Sequence, residues 1–291
     1  MMDFLSILIL IVAYGMQGIF VSLYNSNREG DDLNKSGAYS AVMGIVVSFI
    51  TLVFIGFDFK FSTISLLLGV INGFAIMLYT YFLGRGSNLG PYSFLIICAL
   101  SGGIFFPLAM SLFMGETPKV VNLVGIGVMF VAFAFLCLDF SEKVKPKKGY
   151  YLSCVGIAVA NGTFSVISAL EERIEGGEYN KEFIIISYLS VSVLAMLILL
   201  FKNRSNVLAQ FRISRKALLF MLLGATCITV GINFLMICFK FVNEAVLYTV
   251  QNGGVLVLSA FMSLLIFKEK ITLQKWCGIA IATVSMVLLA I

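Results

Sequence analysis

Ten long runs of apolar residues, each roughly 20 residues long, fill almost the whole chain. A run of this length crosses the hydrocarbon core of a bilayer as an α-helix. Because 60% of the residues are hydrophobic and only 12% are charged, a water-soluble domain could not hide this much apolar surface. We therefore predict an all-α polytopic membrane protein with ten transmembrane helices. The predicted spans are residues 4–23, 36–57, 61–84, 89–114, 118–138, 149–170, 183–201, 217–239, 245–267 and 273–291.

A polar segment that occurs twice predicts how the spans are organised. Glu116 to Gly125 and Glu269 to Gly278 each separate two apolar runs, and the second segment follows the first by 153 residues. We predict two halves, residues 1–140 and 149–291, with five spans each and a hydrophilic linker between them. An odd number of spans reverses the second half in the membrane, so the halves form an inverted repeat. Such repeats are typical of transporters with a site at the repeat interface.

The two segments resemble those of the drug/metabolite transporter superfamily, in particular its EamA-like ten-helix members. The second copy, Phe267-Lys268-Glu269-Lys270-Ile271 followed by Gly278-Ile279-Ala280, carries the resemblance best, and Gly115-Glu116 followed by Gly125-Ile126-Gly127 is comparable. The resemblance implies two five-helix EamA repeats, and it says nothing about the substrate. The first helix has Tyr14-Gly15 where such proteins often carry Trp-Gly.

The orientation in the membrane has two conflicting indications. Most basic residues lie in the loops after odd-numbered spans, including the clusters around Lys147 and Arg212. The positive-inside rule then places both termini outside the cell. The resemblance implies cytoplasmic termini instead, so the orientation stays open. The basic clusters fit anionic lipid headgroups, and the net charge of +5 requires no nucleic-acid partner.

Polar residues in the middle of spans are the best indicators of a substrate cavity, because a polar side chain in hydrocarbon needs a partner or water. They concentrate in the same spans of both predicted halves. An amide between helices is as readily an interhelical hydrogen bond as a ligand contact, and a carboxylate such as Glu116 or Glu269 at a span end is more often a helix cap. The candidate substrate-binding residues are Tyr14, Gln17, Asn72, Tyr79, Asn161, Asn233, Tyr248, Gln251 and Asn252.

The chemistry that is missing narrows the function. The chain has no His, and the predicted spans carry no Asp, Glu, Lys or Arg in their deep parts. A membrane enzyme would need a base or metal ligands, so we expect no catalytic residue, no metal and no cofactor. The six cysteines are dispersed without C-x-x-C spacing, which predicts neither a disulfide nor a metal site. An uncharged cavity suits a neutral, zwitterionic or weakly cationic molecule.

The sequence thus favours a transporter of small organic metabolites that works by alternating access between its halves. A non-transporting accessory or sensor subunit is the alternative. The first apolar run has no basic leader, so we expect a retained helix rather than a signal peptide. We also expect little soluble structure outside the spans and a location in the plasma membrane of a bacterium. Substrate identity, direction, coupling ion and oligomeric state are not encoded in any pattern that we recognise.

Overall fold

Ten α-helices make up the protein in a computed structural model that describes residues 2–87, 89–90, 92–115, 118–137, 146–266 and 272–290. Two short 3-10 helices, Arg204–Asn206 and Leu208–Phe211, lie between the seventh and eighth α-helices. The α-helices are α1 (Met2–Ser26), α2 (Asp32–Phe54), α3 (Thr63–Ser87), α4 (Tyr92–Phe113), α5 (Val120–Cys137), α6 (Tyr150–Glu175), α7 (Asn180–Asn203), α8 (Arg215–Cys238), α9 (Glu244–Ile266) and α10 (Leu273–Ala290).

The helices have the length and the surface of membrane spans. Among the described residues, seven helices contain a segment long and apolar enough to cross a bilayer, and α5 and α10 are shorter apolar helices. Large apolar side chains such as Phe49, Phe74 and Leu197 are exposed on the outside of the bundle. That surface is compatible with lipid and not with water. The prediction of an all-α, ten-helix, multi-pass membrane protein is confirmed.

Several helices continue past the bounds that hydropathy predicts, and in three of them the extension carries an acidic residue that is buried. α6 ends at Glu175 rather than 170, α7 begins at Asn180 rather than 183, and α9 begins at Glu244 rather than 245. Glu171, Glu182 and Glu244 are all buried. Hydropathy ends a span at the first charge, whereas these helices continue because neighbouring helices cover their polar groups. Acidic side chains therefore lie inside the protein where the sequence placed them outside the spans.

Helices that are far apart in the chain pack side by side. The most extensive pairs are α1 with α8, α2 with α7, α5 with α10, and α6 with both α3 and α4. α9 contacts α1, α4, α5 and α10. Helices that precede the linker therefore pack against helices that follow it. A polar group on a helix before the linker can face partners on a helix after it.

Glycines allow the closest of these crossings. A Cβ atom on Gly102 of α4 would lie 2.0 Å from the carbonyl oxygen of Ala158 on α6. A Cβ atom on Gly44 of α2 would lie 2.3 Å from the carbonyl oxygen of Tyr188 on α7. In a membrane protein, such small residues let helix backbones approach and gain packing that lipid cannot supply.

The two ends of the bundle carry opposite charge. Successive helices alternate in direction, so the turns after α2, α6 and α8 share one end, which we call the acidic end after Glu171, Glu172, Glu175, Glu178 and Glu182. Gly176 and Gly177 have positive φ angles of 62° and 76° there, and this tight turn sets the start of α7 beside the last turns of α6. The opposite end carries Lys147, Lys148, Lys202, Arg212 and Arg215. The charge asymmetry predicted from the loops is thus present at the two ends.

Two predicted features lie outside the described residues. Glu116 and Glu269, which begin the repeated segments, are among them. Residues 138–145, which include most of the linker, also lie outside the described residues. The division into halves at this linker stays a prediction.

Candidate functional site

One face of α9 gathers the polar side chains at the centre of the bundle. Tyr248, Gln251 and Asn252 are spaced three and four residues apart, so they lie on one side of the helix. All three are buried, Tyr248 with only 2% of its surface exposed. Gly253 and Gly254 follow them, and Met129 of α5 and Ile11 of α1 pack where their side chains would be. The glycines therefore bring neighbouring helices up to this polar segment.

Four tyrosines from four helices form a chain of neighbours beside that face. Tyr248 lies near Tyr14 of α1 and Tyr188 of α7, and Tyr188 lies near Tyr14 and Tyr39 of α2. The ring of Tyr14 lies against Gly231 of α8, where a Cβ atom would be 2.9 Å from the ring. The rings give this region aromatic faces, which suit cations and flat apolar groups.

The tyrosine hydroxyls are not equally satisfied. The hydroxyl of Tyr248 donates to the backbone carbonyl of Ser165 on α6 at 3.3 Å. The hydroxyl of Tyr14 is buried and has no hydrogen-bond partner in the part of the chain that the structure describes. Gln17, one turn further along α1, lies beside Tyr39. The hydroxyl of Tyr39 is also buried without a partner among the described residues, and Tyr14 is the one of the two that neighbours Tyr248 of α9.

The amides of α6 and α9 meet at Gly103 of α4. The side-chain nitrogen of Asn161 donates to the carbonyl oxygen of Ala99 at 2.8 Å. A Cβ atom on Gly103 would lie 2.6 Å from that nitrogen and 3.4 Å from the side-chain nitrogen of Asn252. Asn161 thus makes an interhelical hydrogen bond. The amide nitrogen of Asn252 and the amide oxygen of Gln251, in contrast, find no partner among the described residues.

The other predicted site residues lie elsewhere in the bundle. Asn72 of α3 donates to the hydroxyl of Ser187 at 3.2 Å. Asn233 of α8 donates to the carbonyl of Thr229 at 2.7 Å and accepts a hydrogen bond from Lys181 near the acidic end. Tyr79 packs on the cluster around Leu95, Tyr150 and Ile157, which belongs to α3, α4 and α6. The structure therefore brings together Tyr14, Asn161, Tyr248, Gln251 and Asn252, which we call the central polar cluster, with Gln17 near its edge.

Sequence reasoning missed several polar groups that face this cluster. Tyr39 and Tyr188 were not among the candidates, although a tyrosine in mid-span is the same kind of signal as Tyr14. Ser168 is fully buried on α6, one turn after Ser165, and lies near the hydroxyl of Tyr248. Glu171 follows one further turn along the same face. Ser165, Ser168 and Glu171 follow one another at intervals of three residues in the sequence. The predicted sixth span ended at residue 170, however, and therefore excluded Glu171.

Two apolar grooves lie on the outside of the bundle. One, of about 530 Å³, lies between α3 and α7 and is lined by residues such as Val70, Phe74 and Leu194. The other, of about 340 Å³, lies between α1 and α8 and is lined by residues such as Val12 and Val230. Neither groove is lined by the central polar cluster, and their linings match acyl chains of the surrounding lipid.

The fold has a counterpart among solved structures. One solved crystal structure of a protein has a TM-score of 0.77 and 15% sequence identity to this chain. The match covers 98% of this chain and 95% of the other chain. At this identity the match shows the fold alone. No known family profile matches the sequence. No curated protein matches it either.

Proposed function

We propose that this protein transports a small organic metabolite across the membrane, with the central polar cluster as the substrate site. The observation that carries the proposal is that polar atoms of Tyr14, Gln251 and Asn252 are buried at the meeting point of several helices without a partner in the described chain. An unmet buried donor or acceptor costs roughly 1–3 kcal/mol. A ligand that bonds to these atoms would recover that cost.

The composition of the cluster supports a particular class of substrate. Its side chains are tyrosines and amides, which offer donors, acceptors and aromatic faces but no formal charge. A phosphorylated anion would need a basic partner at such a site. We therefore propose a neutral, zwitterionic or weakly cationic substrate. Because the chain has no His, the commonest general base and metal ligand is lacking, which supports transport rather than catalysis.

The helix pairs support alternating access between two related halves. If the two halves are related, each of the first five helices corresponds to the helix five places later, so that α1 corresponds to α6 and α3 to α8. The pair α1 with α8 then corresponds to α6 with α3, and the pair α4 with α6 corresponds to α9 with α1. All four pairs are in contact, and α2 with α7 and α5 with α10 map onto themselves. The contact of α4 with α6 is more extensive than that of α1 with α9. An unequal pair of this kind is expected of a repeat protein in one of its two states. On this basis we propose membership of the drug/metabolite transporter superfamily.

Ligand-dependent stabilisation followed by flux tests the proposal. Thermal unfolding of the purified protein is measured with amino acids, amines, sugars, nucleosides and phosphorylated metabolites, because a ligand of the folded state raises the midpoint by mass action. Uptake of the stabilising compound into proteoliposomes is then measured. Asn252→Leu and Gln251→Leu are expected to lower flux at least tenfold.

A matched variant on the same helix provides the control. Thr249 is fully buried, but its hydroxyl already donates to the carbonyl of Ala245 at 2.6 Å. Thr249→Val is therefore expected to keep flux near that of the wild type. Stabilisation by phosphorylated anions alone would contradict an uncharged site. No flux together with a stoichiometric partner that co-purifies would favour an accessory subunit instead.

A further inference from the structure

A buried carboxyl group stands at the acidic end of the bundle. Glu171 of α6 has none of its surface exposed and lies four residues before the end of its helix, roughly 6 Å at 1.5 Å per residue. Its Oε1 accepts a hydrogen bond from the hydroxyl of Ser65 on α3 at 3.2 Å. Its Oε2 is also buried and has no partner within the described ranges of the chain. An ionised carboxylate in this position would keep a charged oxygen without a donor, which is costly.

The groups around Glu171 make that ionised form still less favourable. Its electrostatic neighbours are Glu172 and Glu175 on its own helix and Glu182 on α7, all of the same sign. Like charges disfavour one another's ionised form. Ser62, just before α3, is occupied as a donor to Glu175 at 2.9 Å.

The cationic groups of this end are directed to other partners. Arg173 forms a two-pronged ion pair with Glu244 of α9, at 2.6 and 2.7 Å. Lys181 of α7 donates to Asn233. The Lys60 ammonium is largely exposed and lies 3.9 Å from Glu178. These three cations thus have partners other than Glu171, and Lys240, in the turn after α8, lies near Lys181.

Two further orphaned atoms indicate what is missing. Asn180 is 6% exposed, and its amide nitrogen donates to Glu172 at 2.5 Å, so the side chain points into the acidic group. Its Oδ1, and the hydroxyl of Ser168 one turn before Glu171, are buried without a partner as far as the structure describes the chain. Among the described residues, no three carboxylates lie close enough to hold a metal ion. Oε2 of Glu171 is thus a buried acceptor that lacks a donor among the described residues, and a proton bound to the carboxyl group itself removes the charge that makes this costly.

We infer that Glu171 is a proton-binding site and that its proton is the coupling ion of transport. The coupling, unlike the proton site, rests on the transport function proposed above. A hydronium ion at the acidic end transfers a proton to Oε2 of Glu171 and leaves as water, which makes the carboxyl group neutral and a hydrogen-bond donor. Ser168 lies one turn before Glu171 on α6, and its hydroxyl, unpaired among the described residues, is near the hydroxyl of Tyr248 on α9. Glu171 and this neighbour of the central polar cluster therefore follow one another along α6.

Infrared spectroscopy of the full-length protein in phosphatidylcholine and phosphatidylglycerol vesicles tests proton binding directly. A protonated carboxyl group gives a C=O band that shifts in heavy water and disappears on ionisation. We expect the wild type to show this band at neutral pH and to lose it as the pH is raised. Glu171→Gln should remove the band. Glu172→Gln is the matched control and should keep it, because Glu172 already has Asn180 as a donor.

Two results would overturn the assignment of a proton. One is a band that is equally strong in Glu171→Gln and in the wild type. The other is a band that disappears at constant pH when choline chloride is replaced by sodium chloride, since the site would then take a metal cation. If the variant is too unstable to reconstitute, Glu171→Ser and Ser65→Ala provide the same comparison, the second by removing the hydroxyl donor and shifting the band.

Proton movement tests the coupling separately. Vesicles that contain the protein and the pH dye pyranine receive each compound of the panel described above. We expect a stabilising compound to change the internal pH in the wild type and in Glu172→Gln but not in Glu171→Gln. Flux without any proton movement in the wild type would overturn the coupling and leave transport standing. A carboxyl band without flux of any compound would leave the proton site standing and refute the transport function.

Discussion

The hydroxyls of Tyr14 and Tyr248 offer a matched test of whether the central polar cluster is kept polar for a ligand. Both are buried tyrosine hydroxyls in the same group of aromatic rings. The hydroxyl of Tyr248 has a partner, the carbonyl of Ser165, while that of Tyr14 has none in the described structure. Removing each hydroxyl by substitution with Phe should therefore change stability in opposite directions.

The expected magnitudes follow from those bonds. Tyr248→Phe removes a hydrogen bond of ordinary length and should lower the free energy of unfolding by about 1 kcal/mol. Tyr14→Phe removes a buried group that gains nothing in the ligand-free protein, so it should raise that free energy by about 1 kcal/mol. For a chain of this size, each change corresponds to roughly 2 °C in the midpoint of thermal unfolding, in opposite directions.

The assay is thermal unfolding of both variants in the same detergent, without and with the stabilising compound. Tyr14→Phe should be more stable than the wild type alone but should gain less from the compound. This combination is expected only if the hydroxyl serves a ligand. If Tyr14→Phe lowers the midpoint as far as Tyr248→Phe does, the hydroxyl has a partner in the resting protein, and the argument from unmet polar groups fails.

Further predictions concern helix packing and the acidic end. Gly102→Ala should lower the free energy of unfolding by about 1–3 kcal/mol, because its Cβ would overlap the Ala158 carbonyl. Gly127→Ala, with nothing within 4 Å of its Cβ, should be neutral or stabilising by up to about 1 kcal/mol. Thermal unfolding compares the two variants. Glu244→Gln should lower stability by about 1–3 kcal/mol, since it leaves the half-buried Arg173 with a neutral partner. Lys202→Ala, which removes an exposed ion pair, should change it by less than about 1 kcal/mol in the same assay. An equal effect of the last two would contradict the burial argument.

The sequence alone was enough to predict the architecture. Membrane-spanning helices satisfy their own backbone hydrogen bonds, so the number and position of spans depend on local composition, which any single chain displays. The ten runs, the concentration of basic residues at one end and the polar side chains of α9 were therefore predictable. Tyr248, Gln251 and Asn252 lie on one face because of helical spacing, which is also local.

Which polar groups meet, and which are left without a partner, was decided by tertiary structure. Asn161 and Asn233 are satisfied by Ala99 and Lys181, residues that are distant in the chain, while Gln251 and Asn252 are not satisfied. The sequence gives no measure of these distances, so all four amides had equal standing. Burial of Glu171 could not be predicted either, because hydropathy treats a charge as the end of a span. Only the packing of α3 and α7 around the last turns of α6 encloses that carboxyl group, since burial is a property of the neighbours and not of the residue itself.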